Sequence, residues 1–100
     1  MGAYPDLLNH LLDHIIIMKT IARGFVELAK CLELAKFDDP DDEQLAEQVV
    51  VWCLAESSEA ERASLCEAAS ELAADARAQQ ASEVVQFCER FTANVKGQYL

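Results

Sequence analysis

Apolar residues recur at steps of three and four through the first quarter of the chain. Leu7, Leu8, Leu11, Leu12, Ile15 and Ile16 are followed by Met18, Ile21, Ala22 and Phe25, which is the spacing of one helix face. The pattern predicts a helix opening at Pro5 or Asp6, because proline suits the first turn and an acid complements the positive helix N-terminus. It can run as far as Phe37. Gly24 is its weak point, costing up to about 1 kcal/mol in a helix interior, so a kink or break between Thr20 and Gly24 is the alternative.

Asp38-Asp39-Pro40-Asp41-Asp42 is the clearest punctuation. Asp39 is placed to cap a second helix with Pro40 at its first position and acids in its first turn. That helix is expected over residues 40–56, carrying Leu45, Val49, Trp52 and Cys53 inward. Ser57 and Ser58 then interrupt the pattern, and Ser58 with Glu61 fits a Ser-x-x-Glu capping box opening a third helix over 59–78. Ala60, Ala63, Ala68, Ala69, Ala73, Ala74 and Ala76 would let a neighbouring helix approach it closely. A fourth helix over 82–95 presents Val84, Val85, Phe87, Cys88 and Phe91, and Gly97 is expected to end it. The β-branched runs 15–17 and 49–51 favour strands by propensity, but each lies inside a longer helical pattern with no turn residues at its edges.

Residues 48–53 resemble residues 83–88 at an offset of 35, and Cys31 and Cys66 share that offset. Such a period suits stacked helical hairpins. No repeat-family consensus is matched, so the chain reads as one all-α domain over 1–100, a small antiparallel bundle of four or five helices. A helical-repeat-like adaptor is the variant reading. At 52% hydrophobic with only 3 Gly and 2 Pro, the chain can bury a core and does not have a disordered composition.

Charge adds a direction. The net charge is −10, and residues 38–75 hold twelve carboxylates against Arg62 alone. Such a field repels phosphate and anionic lipid and speeds encounter with cationic surfaces, so direct nucleic-acid and membrane binding are disfavoured. The favoured reading is a non-enzymatic protein-interaction domain, an inhibitor or regulator docking an acidic helical surface on a basic, for example nucleic-acid-binding, partner protein. The partner-binding candidates are Asp41, Asp42, Glu43, Glu47, Glu56, Glu59, Glu67, Glu71 and Asp75. The greasy first helix offers a rival reading, a scaffolding module or homodimer with an interface at Leu8, Leu11, Ile15, Ile17, Met18 and Ile21.

Other chemistry finds less support. His10 and His14 share a helix face with Asp6 one turn before and Asp13 beside them, which are ligand types for a divalent ion, but a third fixed strong ligand is missing. A metal-binding bundle is therefore the weakest of the three readings. The cysteines at 31, 53, 66 and 88 form no Cys-x-x-Cys pair and are expected as reduced core thiols on four different helices. No nucleophile elbow or glycine-rich phosphate loop is present, so neither an enzyme nor a cofactor is expected. The N-terminal residues lack a signal-peptide pattern, and no unbroken apolar run of about 18 residues exists; a cytoplasmic location is expected.

Overall fold

Local chemistry at the helix ends sets the element boundaries. A computed structural model describes the backbone of residues 3–98 and the side chains of residues 17–97. Its four helices are α1 (Ala3–Leu34), α2 (Pro40–Glu56), α3 (Glu59–Ala78) and α4 (Ser82–Gln98), and no strand occurs among the described residues. Asp39 caps α2, its carboxylate accepting the Asp41 N–H at 2.9 Å, and Pro40 occupies the first turn. Ser58 and Glu61 form the full capping box of α3: the Ser58 hydroxyl accepts from the Glu61 N–H, and the Glu61 carboxylate accepts from the Ser58 N–H. Those reciprocal bonds satisfy two otherwise orphaned donors and hold the Glu61 carboxyl below its ordinary range.

Several boundaries differ from the sequence expectation. α1 opens at Ala3 rather than Pro5 or Asp6 and ends at Leu34 rather than Phe37. It passes through Gly24 without a break, and the space where a Cβ would stand there is open. Gly97 does not end α4, which continues to Gln98, and neither Gly24 nor Gly97 has positive φ. The left-handed cap falls instead on Gln80, with φ 59°. There the Ala81 N–H donates to the Ala76 carbonyl at 2.8 Å and the Gln80 N–H to that of Arg77 at 3.1 Å, the paired bonds of a Schellman ending built without glycine.

The core lies between α1, α3 and α4. α3 supplies Leu65, Ala68, Ala69, Leu72, Ala73 and Ala76, while α1 adds Ala22, Val26 and Ala29. α4 adds Phe87, Cys88, Phe91 and Val95. The expected alanine face of α3 is thus partly realised, with Ala60, Ala63 and Ala74 left exposed. Small residues there bring the helices close, and the rings of Phe25, Phe87 and Phe91 fill the flank, with centroids 5.7–6.5 Å apart, a favourable aromatic spacing. α3 packs most extensively on α4 and next on α1, whereas α2 is held lightly against α1. The shape is long, 60 × 32 × 24 Å with a radius of gyration of 16.1 Å, against roughly 13 Å for a compact domain of this length. A 32-residue α1 spans about 48 Å at 1.5 Å per residue, far more than any of its neighbours.

α2 is turned from the expected orientation. Leu45, Val49 and Trp52 face solvent rather than the core; Cys53 is half-buried and Leu54 is the buried residue of the helix. Two physical reasons account for this. Apolar residues occur all round α2, so spacing does not single out one face. The second is that α2 touches the rest of the fold only lightly, through the arc that carries Val50 and Leu54, so little packing selects the larger side chains.

Candidate functional site

The acidic stretch divides into two parts with different surroundings. On α3, Glu67, Glu71 and Asp75 recur at four-residue steps and meet a basic row on α1. Lys19 Nζ lies 3.7 Å from Glu67, and Arg23 reaches Glu71 at 3.8 Å and Asp75 at 3.0 Å. Arg23 also bonds Glu27, which in turn accepts from Lys30 at 2.8 Å. The hydrogen bond from Arg23 to Asp75 leads in holding that guanidinium above its ordinary pKa, against the opposing effect of burial. Lys30 leads in holding the Glu27 carboxyl below its own, and the same bond raises the Lys30 ammonium. Three of the nine partner-binding candidates therefore already have counter-ions.

The other six sit on α2 and its ends. Asp41, Asp42 and Glu43 form the first turn of α2, Glu47 follows one turn on, Glu56 closes the helix and Glu59 opens α3. Among the described residues no salt bridge reaches these six or the neighbouring Asp38 and Asp39; the remaining ion pairs are Arg90 with Glu33 and Arg77 with Glu89. Uncompensated carboxylates in one small region create the negative field that the composition implied, but the region is α2 and its flanks rather than the whole of 38–75.

Along α2 lies the row that sequence reasoning had placed in the core, with Asp41 and Asp42 one turn before it and Glu56 one turn after, while Glu43 and Glu47 stand on the opposite arc beside Leu54. Leu45, Val49 and Trp52, at steps of four and three, are 60%, 49% and 64% exposed, and Val51 is exposed nearby. The one signal for this in the sequence is Glu56, which continues the same row four residues after Trp52. Open grooves flank α2 on both sides. One of about 490 Å³ runs between α1, α2 and α4 past Val50, Leu54 and Phe91, with Glu43, Glu47 and Arg90 on its walls. Another of about 600 Å³ lies between Ile17, Ile21 and Phe25 of α1 and Cys53, Ser57 and Leu65. Its serines are engaged by helix ends: the Ser57 hydroxyl donates to the Leu54 carbonyl at 2.6 Å, and the Ser57 carbonyl accepts from Arg62 Nη1. Ser58 and Glu61, the capping-box pair of α3, also line this second groove.

The remaining candidates fall as follows. His10, His14, Asp6 and Asp13 lie outside the described side chains; among the described residues no group of three His, Cys, Asp or Glu is arranged for a metal. Leu8, Leu11 and Ile15 also lie outside them, while Ile17 and Ile21 are exposed and Met18 is half-buried. The cysteines occupy four helices with free thiols, yet Cys31 is exposed rather than in the core, because the row it belongs to points away from α3 and α4. Burial raises the thiol pKa of Cys66 and of Cys88. No described helix is long and apolar enough to cross a membrane. Comparison of the chain with protein-family models, curated proteins and solved structures finds no match.

Proposed function

We propose that this chain is a non-enzymatic protein-interaction domain that docks the outward face of α2 on a basic partner protein, as an inhibitor or regulator of that partner. One observation carries the reading: the apolar row Leu45, Val49 and Trp52 stands exposed on α2 between Asp41 and Asp42 at one end and Glu56 at the other, carboxylates that no salt bridge reaches among the described residues. An apolar centre within a polar rim is the anatomy of a protein interface, and buried tryptophans are common energetic anchors there. A single sign of charge on the rim selects a partner of the opposite sign and accelerates encounter. An amphipathic helix laid in a groove is the matching mode of recognition.

We place the protein in the cytoplasm and read the bundle as antiparallel between sequence neighbours. In support of that packing, the ion pairs from Lys19 to Glu67 and from Arg23 to Glu71 advance in the same sense along α1 and α3, as two chain reversals would require.

Affinity capture from the native host at low and high ionic strength tests the function. A basic protein should be retained at low salt, released at high salt, and lost with Trp52→Ala or with Asp42→Lys/Glu56→Lys. Retention indifferent to salt and to both variants would overturn the reading.

A further inference from the structure

A second exposed apolar row lies on α1. Ile17, Ile21, Gly24, Leu28 and Cys31 follow one another at alternating steps of four and three, and all five are exposed. This is the 3.5-residue repeat of a coiled-coil seam. The core residues Ala22, Val26 and Ala29 occupy other positions of the helix, and Lys19, Arg23, Glu27 and Lys30 are engaged in ion pairs. The seam itself contains no charged residue.

We infer that the occupant of this seam is α1 of a second copy of the chain, packed antiparallel about a twofold axis at Gly24. Charge argues for a like partner and for the direction. Each copy carries −10, so copies can meet only along an uncharged strip, and a basic partner would gain nothing from one. The segment that follows α1 holds five acids, Asp38, Asp39, Asp41, Asp42 and Glu43. Parallel pairing would bring two such clusters together at one end. Antiparallel pairing puts them at opposite ends of the paired segment 17–31, about 22 Å long, which exceeds the screening length of about 8 Å in physiological salt.

Shape agrees with the direction. A twofold at Gly24 sets Ile21 against Leu28 of the second copy and Ile17 against Cys31. The glycines meet at the waist, where open space at the missing Cβ lets the backbones approach closely. The apolar area on this row is on the order of 250–400 Å² per copy, below the roughly 800 Å² per partner of a standard interface. The dimer therefore dissociates on dilution and leaves the α2 face free for its own partner.

Sedimentation equilibrium on the full chain, from micromolar to near-millimolar concentration, tests the inference. The wild type should pass from monomer to dimer. Ile21→Glu and Leu28→Glu, each at a residue 58–66% exposed, should weaken the dimer at least tenfold while the helical circular dichroism stays unchanged. With copper phenanthroline as oxidant, Ile17→Cys should yield a covalent dimer that disappears when Cys31→Ser is added. A wild type that stays monomeric throughout would overturn the inference, as would a dimer indifferent to Leu28→Glu. Cross-linking of wild-type Cys31 to its own copy would overturn the antiparallel arrangement in favour of a parallel one.

Discussion

Trp52 and Phe87 stand at equivalent positions of the 35-residue offset, one exposed and one in the core, so truncating each measures how α2 is turned. Phe87 is 2% exposed, and Phe→Ala at such a site costs about 3–5 kcal/mol through lost burial and the cavity left behind. Trp52 keeps only about a third of its surface covered. On a side chain of up to about 250 Å² that is roughly 90 Å², or about 2 kcal/mol at 25 cal/mol per Å². Real unfolded chains are already partly buried, which lowers this ceiling, and alanine's better helix propensity returns roughly 0.5 kcal/mol. Trp52→Ala should therefore cost about 1 kcal/mol. Urea unfolding followed by far-UV circular dichroism gives both values, with Phe87→Leu as a milder companion should Phe87→Ala fail to fold. If Trp52→Ala costs as much as Phe87→Ala, the indole is in the core, α2 is turned as the spacing alone predicted, and the docking face does not exist.

Three further outcomes check other parts of the structure. Trp52 is the single tryptophan, so at equal ionic strength, and with each ion referenced to its quenching of free N-acetyltryptophanamide, caesium should gain on iodide; a ratio equal to that of the free compound would mean that no negative field surrounds the indole. Gln80→Gly should stabilise the fold by about 1 kcal/mol, because a left-handed conformation costs a residue with a Cβ roughly 1–2 kcal/mol, and an unchanged midpoint in urea would count against the Schellman ending. Glu27 has a depressed pKa, so its ion pairing contributes fully above the ordinary carboxyl value of 4.5 and is lost as the pH falls through the lowered one. Glu27→Gln should accordingly narrow its stability gap to wild type only below about pH 4.5, and a gap that closes between pH 7 and 5 would refute that assignment.

The parts of this fold legible in the sequence are those decided within a few residues. The Asp39 cap, Pro40 and the Ser58–Glu61 box fixed the ends of α2 and the start of α3, because the capping groups and the N–H groups they satisfy are three residues apart or fewer. Orientation depends on distant partners. Which arc of α2 turns inward is settled by its contacts with distant parts of the fold, and a helix that is apolar all round gives no local signal. The neutralisation of Glu67, Glu71 and Asp75 by Lys19 and Arg23 joins residues about fifty positions apart. A charge count along the chain treats those acids as equal to Asp41 and Glu43, although only the latter group is left free. The Gln80 cap escaped because glycine is the usual mark of that conformation, and Gly97, the nearest glycine downstream, lies inside a helix.

The two exposed rows differ in what surrounds them, and the difference separates the partners they suit. Solubility would explain acids around Trp52 if any charge served, since mixed charges of either sign keep an apolar row in solution. The acids at the two ends of this row, Asp41, Asp42 and Glu56, are instead of one sign. A second copy brought to the α2 face would meet its own charge. A basic partner brought to the α1 seam would find no acid on it. On the proposed reading, unlike proteins would be directed to α2 and like ones to α1, each by the charge left at that face.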